Sequence, residues 1–313
     1  MEKDGQTTLV NALKSPQFAA RVKRGRLFEQ LGGGGVVRKL ARIILTPSLY
    51  LPYVYYAKSP FGSGKFFLTT TFWGRAVRIP LRDYDALALH MFGFAGGNEA
   101  ELRLTKFIAK NLDSEDVFYD VGANCGFYTY LASTVCKEVH TFEPIPLLAG
   151  TVRGNVHESD HVTVNEAVLS DTNGSVDFYV IGSSGLSTMS SEVAEGHKAA
   201  QGAARTITVP SMTLDEYVKT HAKPTFIKLD AEGAEEQIIE GGKDFFNTSA
   251  PLVTLEIWGK ENEWERSMKA AERLRAMGYR SYRMDKEGDL DEAVGDLSAE
   301  IQPNGGDNFI FKK

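Results

Sequence analysis

From residue 117 onward the chain alternates short apolar runs with stretches of helical periodicity, and this alternation restricts the fold more than any other feature. Residues 117–121, 138–142, 226–229 and 252–257 read as strands, the last two as apolar runs of the fully buried kind. Helices are expected near 128–135, 147–157, 234–246 and 263–277, the last stopped by Gly278. Parallel strands need a crossover, and a helix supplies it, so the repeat implies a mainly parallel, doubly wound sheet. Smaller signals surround this frame. Residues 65–80 alternate like a small strand pair, and 99–112 have helical periodicity. Residues 162–169 and 175–181 flank Asn173-Gly174, a strong hairpin signal. Residues 206–209, 280–283 and 308–311 read as further strands, and Thr213 with Glu216 has the form of a capping box.

Sheets of this type bind ligands beyond the carboxyl ends of their strands, where strand order reverses. The first such end reads Asp120-Val121-Gly122-Ala123-Asn124-Cys125-Gly126. Gly122 permits a tight turn, Gly126 permits close approach of backbone to a ligand, and the following helix points its positive end at the site. A dinucleotide fingerprint would be G-x-G-x-x-G, with a pyrophosphate on the helix end. Here the spacing is D-x-G-x-x-x-G. A carboxylate at Asp120 repels a pyrophosphate but suits an amino-acid ammonium. Glu143, 21 residues after Gly122 at the end of the second strand, is placed to accept both hydroxyls of a ribose. An amino acid at one end, a ribose in the middle and no phosphate describes S-adenosylmethionine.

Several segments then resemble one family, the FkbM-type methyltransferases. They are residues 118–128, Phe142-Glu143-Pro144, Asn165-Glu166-Ala167-Val168, Thr213-Leu214-Asp215 and, most specific, Ile227-Lys228-Leu229-Asp230-Ala231-Glu232-Gly233-Ala234-Glu235. Cys125 stands where the family more often has Ile or Val, a tolerable exchange because buried Cys behaves as a small hydrophobe. The similarity runs from about Glu99 onward. It implies a class I methyltransferase fold, a Rossmann-like doubly wound mixed sheet of about seven strands with one antiparallel strand added. It also implies O-methylation of a sugar, glycolipid, polysaccharide or polyketide-type natural product. The cofactor site is assigned to Glu99, Asp120, Gly122, Asn124, Gly126, Glu143 and Glu166.

Methyl transfer from a sulfonium is an in-line displacement with a neutral leaving group, so catalysis can come from holding the acceptor oxygen close and aligned. An alcohol is a poor nucleophile at neutral pH, so a base or cation beside it helps. The turn after the fourth strand offers Lys228, Asp230, Glu232 and Glu235, and the fifth strand ends in Glu256 and Trp258. Asp230, Lys228, Glu232 and Glu256 are the candidate catalytic residues. Helix capping is the competing explanation for the acids, and Glu235 and Glu236 fit it well. Asp230 and Glu256, on neighbouring strand ends, could alternatively hold Mg²⁺ or Mn²⁺. The six histidines form no H-x-x-x-H or Cys/His cluster, which argues against zinc. An NAD-binding oxidoreductase would need the missing glycine spacing. A nucleic-acid methyltransferase would need a basic catalytic face and an Asn/Asp-Pro-Pro-Tyr loop, so no nucleic-acid partner is expected. A methyltransferase of small polyketide- or peptide-type metabolites is the other open possibility. The Ser-, Gly- and Ala-rich stretch 182–204, long for a loop, is expected to be a lid over the acceptor.

Charge divides the 313-residue chain. Residues 1–60 hold ten Lys or Arg against three Asp or Glu, a net of +7, while the remainder holds 25 against 38, a net of −13. Three parts are expected: a basic, helical extension at 1–60, a lead-in or cap at 61–112, and the S-adenosylmethionine-binding domain at 113–313. The first thirty residues are expected to be poorly ordered, hinged at residues 32–35 and removable without loss of cofactor binding. Arg38, Lys39 and Arg42 precede an uncharged run at 43–57 that is too short to span a bilayer and is interrupted by Pro47 and Pro52. This basic and aromatic patch is either a packed cap or a contact with an anionic membrane. With two cysteines and no apolar leader after Met1, a cytoplasmic enzyme is expected, with membrane association open through the basic extension.

Overall fold

The computed structural model describes residues 4–32, 36–49, 66–80, 84–180, 188–189, 205–259, 261–301 and 306–313. Helices α1 (Asp4–Leu13), α2 (Pro16–Gln30) and α3 (Val36–Leu45) come first. A two-stranded antiparallel ribbon follows, β1 (Phe66–Thr70) with β2 (Ala76–Pro80), as the alternation at 65–80 predicted. Next are α4 (Tyr84–Phe92) and α5 (Glu99–Asn111). Residues 4–30, part of the stretch expected to be poorly ordered, are not loosely attached. Ser15 caps α2 by accepting from the Phe18 amide at 3.1 Å, with Pro16 in the first turn where its missing N–H costs nothing. Leu9, Phe18 and Phe28 are buried in the same hydrophobic cluster as Phe92, Phe107 and Leu131. Gly25 lets α2 approach α4, since a Cβ there would stand 2.3 Å from the Phe92 ring. Arg21 donates to the Thr70 carbonyl on β1 and to the Leu89 and His90 carbonyls in the last turn of α4, tying α2 to both. Residues 33–35 and 50–57 of the expected hinge and aromatic run lie outside the described residues.

The remaining elements run β3 (Val117–Val121), α6 (Phe127–Ala132), β4 (Glu138–Phe142), α7 (Pro146–Val156), β5 (Val162–Asn165), β6 (Val168–Leu169), β7 (Gly174–Val180) and β8 (Arg205–Met212). Then come α8 (Leu214–Tyr217), β9 (Phe226–Leu229), α9 (Glu235–Gly241), α10 (Lys243–Thr248), β10 (Leu252–Trp258), α11 (Glu261–Ala276), β11 (Arg280–Met284), β12 (Leu290–Ala293) and β13 (Gly306–Lys312). The main sheet has the order β12-β11-β13-β10-β9-β3-β4-β5. Strands β5, β4, β3, β9 and β10 are parallel, and β13 enters antiparallel between β10 and β11, the added strand that the resemblance implied. Strand order reverses between β3 and β9. Side chains alternate across the sheet: Phe118 and Phe226 enter the cluster with α5, α6 and α7, whereas Tyr119 and Ile227 enter a second with Ile238, Phe246 and Leu274. The sheet has eight strands among the described residues. The eighth, β12, is an edge strand of sequence Leu-Asp-Glu-Ala that pairs only with β11 and with an irregular register, so it carries no apolar signal.

Several local expectations are corrected. Residues 162–169 form two strands in different sheets, and Asn173-Gly174 does not close a hairpin between its flanks. Strand β8 lies between β6 and β7, and the small sheet has the order β6-β8-β7. The Asn173 side chain instead accepts from the Thr213 amide at 2.9 Å. Thr213 caps α8 through the Glu216 amide, but Glu216 turns to Lys219, so the reciprocal half of the capping box is absent. The helix expected at 234–246 breaks at Gly242, where a Cβ would meet Leu214 at 2.8 Å and Phe246 at 2.9 Å.

Candidate active site

The loop after β3 is shaped by three left-handed residues, Gly122 (φ 76°), Asn124 (φ 53°) and Gly126 (φ 86°). Gly122 is demanded by a neighbour: a Cβ there would overlap the Asp230 carbonyl oxygen. The loop after β3 and the turn after β9 are thus in backbone contact. Gly126 serves packing rather than ligand approach, since its Cβ would strike Val152 and Tyr130 at 2.7 and 2.8 Å. Asn124 donates from Nδ2 to Asp85 at 2.7 Å. Asp120 lies beneath the loop, fully buried. Its Oδ2 accepts from Thr129 at 2.6 Å and its Oδ1 faces Lys228 Nζ at 3.8 Å. Burial raises its pKa, against Lys228 and the Thr129 hydroxyl, which favour the anion.

At the end of β4, Glu143 is held from both sides. Oε2 accepts from the Asn124 amide at 2.8 Å and Oε1 from the Ile145 amide at 2.9 Å. Two backbone donors fix the plane of the carboxylate, a group whose two oxygens can accept several hydrogen bonds. Two other assigned residues stand elsewhere: Glu166 pairs with Arg153 at 3.0 Å, and Glu99, largely exposed, pairs with Arg26 at 2.7 Å.

The β9 turn is clamped by Glu235, whose carboxylate accepts from the Ala231 and Gly233 amides, so it closes the turn ahead of α9 rather than capping that helix, whose N-cap residue Ala234 makes no side-chain cap. Glu232 occupies the left-handed region (φ 50°), and its carbonyl accepts from Thr188 Oγ1 at 2.7 Å. Lys228 is buried at 3% exposure, donates to Asp230 Oδ2 at 2.9 Å and stands 5.2 Å from the Tyr128 ring centre. Desolvation opposes its charge, but Asp230, Asp120 and Glu101 overcome this and raise its pKa. Glu256 is driven the other way. Burial first, then Asp230, Glu232 and Glu101, push its pKa well above the carboxylate range. Glu101, which the sequence reading missed, faces the same group. Tyr128 donates to its Oε2 at 2.7 Å and Asn308 to its Oε1 at 3.0 Å. Burial and Asp230 raise its pKa as well. Its signal was present: Glu101, Leu104, Thr105 and Ile108 follow helical spacing, so an acid sits on the buried stripe of α5.

These strand ends enclose a cleft of about 590 Å³. Gly122, Asn124 and Glu143 line one part, and Lys228, Asp230, Glu232 and Glu256 another. Asp85, Glu101 and Tyr128 also line it, as does Met189, one of two described residues of the stretch expected to be a lid, whose remainder lies outside the described residues. Asp120, Gly126, Glu99 and Glu166 are not in its lining. Among the described residues no group of three His, Cys, Asp or Glu side chains is arranged to hold a metal ion.

The family model of the FkbM methyltransferase domain matches residues 120–281. The chain belongs to the FkbM methyltransferase family. It therefore carries a methyltransferase domain of that family, with the class I fold. Among solved structures it is similar to the FkbM methyltransferase of Methylobacillus flagellatus KT, at 13% identity and a TM-score of 0.44, over 74% of this chain and 55% of that one. The chain thus spans about half the length of that family member. It is also similar to SMU.1697c of Streptococcus mutans, solved in complex with SAH, at 9% identity and a TM-score of 0.39, over 68% and 97% of the two chains. An rRNA methylase of Streptococcus thermophilus matches at 11% identity and a TM-score of 0.35, over 66% and 92%. No curated protein matches the sequence.

Proposed function

We propose that this FkbM-family enzyme methylates a hydroxyl of an uncharged sugar, glycolipid or related natural product, with the cofactor against the β3 and β4 loops and the acceptor against the β9 and β10 ends. The observation that carries this reading is the division of the cleft between Glu143, fixed by two amides, and the Lys228–Asp230 pair at 2.9 Å. The residues fit S-adenosylmethionine. Glu143 is an acceptor suited to two ribose hydroxyls, and Gly122 and Asn124 present backbone to the cleft without a phosphate-binding glycine pattern. When bound, the cofactor supplies a methyl group on a sulfonium. Asp230 accepts a hydrogen bond from the acceptor hydroxyl and orients its lone pair, Lys228 fixes Asp230 in place, and Glu232, on the same turn, helps to orient the acceptor. Glu256 and Glu101, held toward the protonated form, act as hydrogen-bond donors or acceptors to neighbouring hydroxyls rather than as resting bases. Asp120 acts behind this group by holding Lys228 charged.

The acceptor class follows from the charge balance. Among the described residues, Asp85, Glu101, Glu143, Asp230, Glu232 and Glu256 line the cleft with one lysine, Lys228, and even with Glu101 and Glu256 held toward the protonated form the balance favours neutral polyols over phosphorylated or polyanionic acceptors. A divalent ion does not fit well between Asp230 and Glu256, because Lys228 already holds Asp230 and burial disfavours the ionised form of Glu256. In this reading residues 1–60 and 61–112 support the cofactor-binding domain at 113–313. The enzyme works in a reducing, cytoplasmic setting in which the free, buried Cys125 and Cys136 remain thiols.

Calorimetry with S-adenosylhomocysteine and NAD, followed by transfer of radiolabelled methyl to neutral glycans, sugar phosphates and RNA, tests the proposal. S-adenosylhomocysteine should bind, NAD should not, and label should enter a neutral glycan. Label in RNA or a sugar phosphate would overturn the acceptor class alone. Turnover should also survive exhaustive EDTA treatment, and a loss restored by Mg²⁺ or Mn²⁺ would overturn the metal-free arrangement.

A further inference from the structure

Helix α3 carries its amphipathic pattern inside out. At about 100° per residue, Val36, Val37, Leu40, Ile43 and Ile44 fall on one face, and Arg38 and Arg42 on the opposite one. A helix of a globular protein normally turns its apolar face inward. Here no residue of α3 is buried, and the apolar side chains are open: Val36 at 75%, Val37 at 79%, Ile44 at 72% and Leu40 at 51% exposure. The inner contacts come from the cationic side instead. Arg42 donates from Nε to the Phe28 carbonyl at 2.9 Å and lies 4.1 Å from the Phe28 ring centre, and Arg38 Nη1 donates to the Gly32 carbonyl at 3.3 Å. Arg42 is thus a pin that holds the helix with its apolar face outward. Exposed apolar side chains scattered singly need no explanation, but five on one face of one helix mark a docking surface.

We propose that α3 lies in the plane of an anionic membrane, its Val36–Val37–Leu40–Ile43–Ile44 face among the acyl chains and exposed cations at the headgroups. Charge complementarity selects this occupant. Lys39 borders the apolar face, Arg38, Lys23 and Arg24 are also exposed, and residues 1–60 carry a net charge of +7. Such an excess favours an anionic lipid surface and works against a second, equally basic copy of the same arm. Helix length agrees. Ten residues make a rod of about 15 Å, too short to cross a bilayer but ample to rest in its interface. Among the described residues no helix is long and apolar enough to span.

The test is co-sedimentation of the full chain with phosphatidylcholine vesicles and with vesicles containing roughly a third phosphatidylglycerol, at low and high salt. Binding is expected to the anionic vesicles, weakening several-fold as the Debye length falls from about 30 Å at 0.01 M salt to about 10 Å at 0.1 M. The double substitution Val37→Asp with Ile44→Asp, at exposed positions that leave the core untouched, should lower vesicle affinity at least tenfold. Lys39→Glu should lower it by a smaller factor. Unchanged circular dichroism and unchanged S-adenosylhomocysteine affinity would show that both variants are folded. Wild-type protein that ignores anionic vesicles at low salt overturns the proposal. So does vesicle binding that survives the double substitution, or a dimer in light scattering that the double substitution splits while vesicles are ignored.

Discussion

Glu143 tests the cofactor assignment most directly. Its carboxylate is fixed by the Asn124 and Ile145 amides before any ligand arrives. Glu143→Ala should weaken S-adenosylhomocysteine binding by about 1.5–3 kcal/mol, the range for hydrogen bonds to a charged group. Calorimetry on the folded variant would refute the assignment if affinity did not change. Gly122 makes a different demand, because the Asp230 carbonyl occupies the space of a side chain. Gly122→Ala should cost about 1–3 kcal/mol for the left-handed backbone alone, with more for displacing the β9 turn. Thermal unfolding measures it, and a variant as stable as the wild type would show that the two loops are not in contact. Glu256 gives a pH dependence of known sign. Its folded pKa is raised, so between the ordinary carboxylate pKa of about 4.3 and that raised value the native state binds the proton that the unfolded state has lost. Stability therefore falls through this window as pH rises, and Glu256→Gln should remove the fall. Melting curves of the two proteins should coincide near pH 4 and separate above it, with the variant higher. The sequence made Lys228 and Asp230 legible, because charge inside an apolar strand has few structural uses. It misled at Asp120, because whether a carboxylate at a strand end points into the cleft or under the loop depends on Thr129, a partner on the next helix.

Elements were most legible where an apolar period was long and least so where pairing was set by distant chain. The parallel strands and their crossover helices follow the sequence signal closely. The supposed hairpin at Asn173-Gly174 does not, since β8 arrives from beyond residue 204 and takes the position between β6 and β7 that a local rule would leave empty. The edge strand β12 was invisible for the opposite reason, since Leu-Asp-Glu-Ala has two acids in four residues and no apolar alternation to leave a pattern. Helix α2 shows that a glycine run is a poor guide to the order of what precedes it: Arg21 is half-buried and donates to four carbonyls, its pKa lowered to about 10 by burial and by Arg24. Phe18→Ala should accordingly cost about 3–5 kcal/mol, a deficit measurable by denaturant unfolding. Removing residues 1–30 strips Leu9, Phe18 and Phe28 from the main cluster, so such a truncation should lower stability as well as any surface affinity. A truncated chain with the full-length melting temperature would refute this.

The whole molecule is closed by contacts between distant parts of the sequence. Helix α5 is tied to the far end of the chain by Arg103 to Asp307 at 2.7 Å, Lys106 to Glu287 at 3.1 Å and Lys110 to Asp289 at 2.9 Å. Asn308, on the antiparallel strand β13, completes the hydrogen bonding of Glu101 inside the cleft. That strand follows every other described element in the sequence, yet it sits in the interior of the sheet between β10 and β11. A nascent chain that has already built its cofactor loops consequently lacks both the separator of β10 and β11 and the amide that steadies Glu101. Assembly of the reaction chamber waits on translation of residues 306–312, so premature stops that spare every cofactor loop should still leave the ribosome with a half-walled, idle enzyme.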